Sequence, residues 1–288
     1  PILIGIVIVS VGTTTPELAV SIQATLDGNA QLALGNAVGS VIYDDGLALP
    51  MVAFFAPAVV LIDRVVLRSA AVFLIIVDLL AYYMASDGTL SRGEGAVLVF
   101  GFVLYLVYTY WEHRRGRQVV DEDELDHEPS SWGRTILLMV AGLVGVLISS
   151  EGIVLAAPVI ALSMGVSDII VTLVIVALGT SIPEIATCIV AARKGQGGLA
   201  IGNILGADIL NICWIAGASA SVNALHVSTD VIHFMFPAMI IIVLTMLGLM
   251  RMGYRFERWK AVILLVMCVT YLGLLLTTNP GALTSEIH

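Results

Sequence analysis

The chain has 288 residues, 59% of them hydrophobic and 12% charged, with a mean hydropathy of +1.01 and a formal net charge of -9. Soluble domains carry roughly 45–50% apolar and about 25% charged residues, so the composition excludes a soluble enzyme and a disordered chain. An acidic balance with no basic stripe also excludes nucleic acid as a partner.

A membrane span needs about 20 apolar residues. Apolar runs bounded by Gly, Pro or charge predict nine spans in chain order: 1–27, 30–58, 65–85, 94–112, 133–163, 167–193, 197–224, 230–250 and 258–277. No basic stretch precedes the first run, so it is not read as a signal peptide. The long polar connection, 113–132, holds six acids between Asp121 and Glu128. It reads as a solvated loop, because the calcium-loop spacing of an EF-hand is absent. Cys188, Cys213 and Cys268 fall in apolar segments and read as packing residues, with no disulfide or zinc spacing. Connections alternate sides of the bilayer. One side collects Arg64, Arg68, Arg114, Arg115, Arg117, Arg134, Arg193, Lys194, Arg251, Arg255, Arg258 and Lys260, and the other has Arg92. The positive-inside rule makes the first side cytoplasmic. The loop 113–132 is then cytoplasmic and the C-terminus outside, in a cell membrane.

The chain repeats itself. Displacing it by 167 residues (184 − 17) lays VGTTTPELAVSIQATLDGNAQLALGNAVGSVIYDD, 11–45, on LGTSIPEIATCIVAARKGQGGLAIGNILGADILNI, 178–212. The pairs Gly12/Gly179, Thr13/Thr180, Pro16/Pro183, Glu17/Glu184, Gly28/Gly195, Gly35/Gly202, Asn36/Asn203 and Gly39/Gly206 are identical. The same displacement carries 65–85 onto 230–250 and 94–112 onto 258–277. A repeat of five helices enters the membrane upside down relative to its twin, and inverted repeats are the architecture of secondary transporters. The expected organisation is a first repeat over 1–112, a loop over 113–132 and a second repeat over 133–288. Segment 133–163 has no twin in the first repeat, so the expectation is a ten-helix all-α fold whose first helix is missing from this chain. The alternative is a nine-helix protein.

Each repeat carries a proline inside an apolar span, in GTTTPE (12–17) and GTSIPE (179–184). Proline lacks an N–H and clashes with the carbonyl four residues back, so the helix breaks there. Hydroxyls of Thr13, Thr14, Thr180 and Ser181 crowd the break, and Glu17 or Glu184 follows at once. Carboxylate, hydroxyl and carbonyl oxygens together suit hard cations such as Ca²⁺, Mg²⁺ and Na⁺. A charge at the bilayer centre costs at least ~2.5 kcal/mol, and two of them at matching breaks are poorly explained by packing. Further on, Asn36, Ser40 and Asp44 share one helix face at four-residue spacing. Asn203, Ala207 and Asn211 do the same in the second half. Asn36 and Asn203 read equally well as interhelical glue or as ligands, and Asp44 reads as functional. Asp45 and Asp208 are expected beside that stripe, as second-tier or vestibule groups. Asp78 and Glu151 receive no role, Asp168 reads as a helix cap, and His226 and His233 as solvated at the outer interface. The GxxxG spacings read as close helix contacts.

At these residues the sequence resembles the cation/calcium exchanger superfamily, particularly its prokaryotic sodium/calcium exchangers, through GTTTPELAVS with GNAVGS and GTSIPEIAT with GNILGAD. The resemblance implies an alternating-access antiporter that exchanges Ca²⁺ for Na⁺, with a proton/calcium antiporter as the alternative. It needs no cofactor and no obligatory protein partner. Its partners are inorganic cations and the lipid bilayer. It further implies a central site made by Glu17, Glu184, Thr13, Thr14, Thr180, Ser181, Ser40, Asp44 and Asn211, with backbone groups at Ser10 and Ala177. Three departures stand out. Ala207 replaces a family serine, Val41 replaces the usual Asn, and Asp44 and Asn211 exchange their usual places. Two other classes fit worse. An intramembrane hydrolase needs an Asp pair or a Ser–His pair that is not found in a matching context, and a channel needs a ring of like subunits.

Overall fold

In the computed structural model the described residues are 10–115 and 171–278, with scattered helical positions between 133 and 159. Residues 1–9, most of the loop 113–132, Glu151 and Asp168 lie outside them, so the nine-span count and the organisation of 133–163 are not addressed. The elements run α1 Ser10–Thr13, α2 Thr15–Leu26, α3 Ala30–Tyr43, a π-helical turn Asp44–Ala48 and α4 Leu49–Phe55. Then follow β1 Val60–Leu61, α5 Arg64–Ala85, β2 Thr89–Leu90 and α6 Arg92–Arg115. The later half runs through a π-helical turn Val171–Val176, α7 Ala177–Thr180, α8 Ile182–Arg193, α9 Gly197–Ile209, a π-helical turn Leu210–Ala216 and α10 Gly217–Val222. It ends with β3 Leu225–His226, a π-helical turn Val231–Met235, α11 Phe236–Arg251, β4 Arg255–Phe256 and α12 Arg258–Thr278. Among the described residues, six helices are long and apolar enough to cross a membrane, or seven if the bent pair Val174–Thr180 with Ile182–Arg193 is one span.

Helix boundaries follow from local chemistry. The side chain of Asn29 caps α3 by accepting from Leu32 N at 3.0 Å. Asp63 caps α5 by accepting from Val65 N at 2.8 Å and Val66 N at 3.1 Å. The turns between α2 and α3 and between α8 and α9 each need one left-handed residue, supplied by Gly28 (φ 78°) and Gly195 (φ 75°). Those two glycines are again 167 positions apart.

Burial sorts the helices into two sets. In the 18-residue apolar window of each span, 78% of residues are buried in Ala30–Phe55 and 89% in Gly197–Val222, against 33% in α5 and 22% in Arg92–Trp111 of α6. The first two stretches therefore form the interior of the bundle. Helices α5, α6, α11 and α12 surround them and turn Val72, Ile76, Phe100, Ile241 and Val266 outward, as a lipid-facing shell requires. The halves interlock. Helix α2 packs on α10 while α8 packs on α4, and α6 packs on α10 while α12 packs on α4. Two short antiparallel ribbons join the halves at opposite ends of α5: Val60–Leu61 pairs with Arg255–Phe256, and Thr89–Leu90 pairs with Leu225–His226.

The contact between α6 and α10 depends on small residues. A Cβ on Gly95 would lie 2.6 Å from Gly217 O and 2.7 Å from Ser221 N, both backbone atoms that cannot move alone. Gly93, one turn boundary away, has open space around it. Gly95→Ala is expected to destabilise the purified protein by about 1–3 kcal/mol, the usual cost of overpacking, while Gly93→Ala leaves stability unchanged. Thermal unfolding in detergent checks this, and equal midpoints for both variants would contradict the close-contact reading.

Candidate cation site

The site begins at the two proline breaks. Helix α1 stops at Thr14 (φ -81°, ψ 6°) and α7 stops at Ser181 (φ -81°, ψ 2°), so the two breaks have the same backbone geometry. The pair α7 and α8 bends by 42° there. Pro16 and Pro183 sit in the first turns of α2 and α8, where a missing N–H costs nothing. Glu17 and Glu184 follow in those same first turns. The positive end of a helix favours a carboxylate at this position. Both side chains are fully buried, and among the described residues no well-formed hydrogen bond reaches their four carboxyl oxygens.

The two glutamates come together with a third acid. Glu17 has Glu184 and Asp44 as charged neighbours, and Asp44 has Glu184 and Asp45. Asn211 Nδ2 donates to Asp44 Oδ2 at 3.3 Å, across a sequence separation of 167, so the two equivalent positions of the repeat meet each other. Threonines from one half stand beside the glutamate of the other: Thr180 beside Glu17 and Thr13 beside Glu184. The hydroxyls of Ser40 and Ser181 are buried without a partner. The Ser10 carbonyl accepts from the hydroxyls of Thr14 at 2.8 Å and Thr13 at 3.3 Å, and the Ala177 carbonyl accepts from Thr180 at 3.1 Å. These two carbonyls are thus turned toward the hydroxyls one turn further along. Ala207 is fully buried and brings no oxygen.

Both asparagines hydrogen-bond across the two halves. Asn36 Nδ2 donates to the Glu17 carbonyl at 3.2 Å and to Ser21 Oγ at 3.0 Å, while its Oδ1 accepts from Thr180 Oγ1 at 3.0 Å. One side chain therefore ties the Glu17 backbone to the break in the opposite half. Asn203 mirrors it more loosely. Its carbonyl accepts from Ser10 Oγ at 2.8 Å, its Oδ1 from the same hydroxyl at 3.3 Å, and its Nδ2 donates to Thr187 at 3.4 Å. Ser21 was not anticipated from the sequence; its place one turn after Glu17 was the available signal.

Asp45 neighbours Asp44, and Asp208 neighbours Asp45. Both are fully buried, and the two carboxyl groups lie close to each other. The stripe argument assumed a helix with one inward face, but residues 200–209 of α9 are buried all round. His226 and His233 are exposed, as expected. Among the described residues, no three His, Cys, Asp or Glu side chains already surround one metal-sized point.

Known proteins decide the family. The family model described as sodium/calcium exchanger protein matches residues 1–111 and 134–277. The chain belongs to the sodium/calcium exchanger family. It is 33% identical to a putative antiporter CaxA of Alkalimonas amylolytica, over 96% of this chain and 89% of that protein. It is 27% identical to the sodium/calcium exchanger MaX1 of Methanosarcina acetivorans, over 94% and 88%. A solved structure of the sodium–calcium exchanger NCX_Mj matches with a TM-score of 0.78 at 26% identity, covering 94% of this chain and 86% of that one. The chain is therefore an integral membrane transporter of inorganic cations, an exchanger and not an enzyme.

Asn36→Ala is expected to remove the hydrogen bonds that join the Glu17 carbonyl, Ser21 Oγ and Thr180 Oγ1, at a cost of about 1–3 kcal/mol, while Thr180 and Ser21 keep the carbonyls of Ala177 and Ala33. Asn203→Ala, whose side-chain bonds are longer, costs less. Paired thermal melts check the order, and a larger loss for Asn203→Ala would contradict it.

Proposed function

We propose that this exchanger moves Ca²⁺ one way and Na⁺ the other by alternating access, through one site made by both halves. The observation that carries the reading is the meeting of Glu17, Glu184 and Asp44 inside the bundle with, among the described residues, no cationic side chain beside them. Ca²⁺ takes six to eight oxygens at 2.3–2.6 Å, typically from carboxylates, carbonyls and hydroxyl-bearing groups. The proposed ligands are Glu17, Glu184 and Asp44 for charge, Thr13, Thr14, Thr180, Ser181, Ser40 and Asn211 for neutral oxygen, and the carbonyls of Ser10 and Ala177. Three like charges in a low-dielectric chamber repel strongly. The unfilled, fully ionised site is then unfavourable to reorient, and filling it with either ion removes the penalty. That asymmetry couples the two fluxes.

The names of MaX1 and NCX_Mj support sodium as the counter-ion. One residue favours the second reading, proton/calcium exchange: Ala207 removes a hydroxyl that could hold sodium. Access would alternate by movement of α1–α2 and α7–α8 against the rest, related by the inverted repeat of 1–112 and 133–288. The excess of basic residues on one side supports a cell-membrane orientation with 113–132 in the cytoplasm and the C-terminus outside.

Calcium uptake into proteoliposomes, driven separately by a sodium gradient and by a pH gradient, tests the reading. Sodium-driven uptake is expected, and Glu17→Gln or Glu184→Gln should reduce it to background. Uptake driven by pH alone would select the proton exchanger, and uptake retained in both glutamine variants would remove the central site. Ala207→Ser is expected to strengthen the dependence on sodium, read as a lower half-saturating sodium concentration.

A further inference from the structure

Each central glutamate begins a seam between two helices. From Glu17 the seam lies between α2 and α10, and from Glu184 it lies between α8 and α4. Helix α10 leads into β3 and α4 into β1, so the two seams run to opposite ribbons. Residues 17, 21 and 25 share a face of α2 at four-residue spacing, as 184, 188 and 192 do on α8. The displacement of 167 pairs Ser21 with Cys188, Thr25 with Ala192 and, on the facing helices, Ser219 with Val52. All six side chains are buried, yet the first seam carries three hydroxyls where the second carries a thiol, a methyl and an isopropyl group.

The hydroxyl oxygens keep capacity to accept. Ser21 Oγ donates to the Ala33 carbonyl at 3.1 Å, and Thr25 Oγ1 donates to the Ser21 carbonyl at 2.8 Å. With those protons committed, lone pairs remain on both oxygens. Ser219 Oγ has no hydrogen-bond partner among the described residues. Its direction follows from the phase of α10. Gly217, Ala220 and Ser221 lie against Gly95 of α6. At about 100° per residue Ser219 is then on the side of α10 away from α6, and α2 is the other helix packed on α10 among the described residues.

The ends of the seams differ too. The guanidinium of Arg193, the last residue of α8, stands 4.7 Å from the ring centroid of Phe55, the last residue of α4. Their twins at the end of the first seam are Leu26 and Val222, which are 65% and 41% exposed. A cation–π contact thus spans the end of one seam, and two apolar side chains flank the end of the other.

We propose that the two routes from the central site are unequal: Ser21, Thr25 and Ser219 line a route for a hard cation along α2 and α10, while the α8–α4 seam is dry and latched by Arg193 over Phe55. This rests on reading Glu17 and Glu184 as the ion site. A cation leaving Glu17 meets an oxygen at each turn and sheds its water gradually. One leaving Glu184 meets no such oxygen and has to carry its water with it, which demands a wider opening and release of the latch. The guanidinium also sets a positive charge at the end of that seam.

Labelling of Ser219→Cys and Val52→Cys in the purified full-length chain, with a small quaternary-ammonium methanethiosulfonate and peptide mass spectrometry, reads the two seams. Ser219→Cys is expected to react severalfold faster than Val52→Cys. Adding Arg193→Ala should raise the Val52→Cys rate about two- to fivefold, the worth of an exposed cation–π contact expressed as a rate, and leave Ser219→Cys unchanged. Equal rates at the two cysteines overturn the inequality, and an Arg193→Ala that speeds both or neither overturns the latch. Should Val52→Cys not remain monodisperse, the native Cys188 of the same seam reports instead: faster labelling in Arg193→Ala supports the latch, and an unchanged rate overturns it. Labelling needs no ion flux, so loss of calcium uptake alone bears on the central site and the labelling pattern alone on the seams.

Discussion

Carboxylates buried in a low-dielectric bundle without a cationic partner govern this molecule. Glu17, Glu184 and Asp44 meet where, among the described residues, neither lysine nor arginine is a neighbour, and under the proposed function an ion from outside neutralises them. Everything around them can be understood as making that tolerable. The two glutamates sit at helix starts, where the peptide dipoles are favourable, and among hydroxyls that can turn to donate or accept. A lysine in the same place would have satisfied the charge permanently and made the site useless to a passing ion.

The two halves supply this environment jointly. Neither half holds a complete set of oxygens: each glutamate has its threonine neighbour in the opposite half, and Asp44 has its amide partner in Asn211. Asn36 adds rigidity by joining the Glu17 backbone to Thr180. A small relative shift of the breaks would therefore alter several contacts at once, which is how a modest movement can change ion affinity sharply. The interior position of α3, α4, α9 and α10, inside a shell of lipid-facing helices, keeps water from doing the same job non-selectively.

Much of this was legible in the residue order. Proline within an apolar run followed by glutamate marked the breaks, and the constant displacement of 167 marked which residues would correspond. The long helices α5, α6, α11 and α12 lie close to the spans drawn from hydropathy. Other features left weaker traces. The π-helical turns at Asp44–Ala48 and Leu210–Ala216 shift the phase of the helix, and no residue type signals them. The burial of Asp208 could not be read from a stripe, because residues 200–209 of α9 are enclosed on every side. The ribbons of β1–β4 and β2–β3 are two residues long, too short for any alternation to register. Asn36 showed a polar group on the right face, but its choice between ligand and tie depended on the partner, which only the fold provides.

The two ribbons have a consequence for how the molecule is made. Each strand of the earlier half is completed by a strand from the later half, Val60 with Phe256 and Thr89 with His226. During synthesis the earlier half must therefore wait in the bilayer, its polar notch uncovered and its strand edges open, until most of the polypeptide has left the ribosome. Assembly is late and non-local, of the kind that proceeds slowly, and the nascent half depends on lipid or on the insertion machinery to shelter it. A severed half, expressed by itself, would lack both closures.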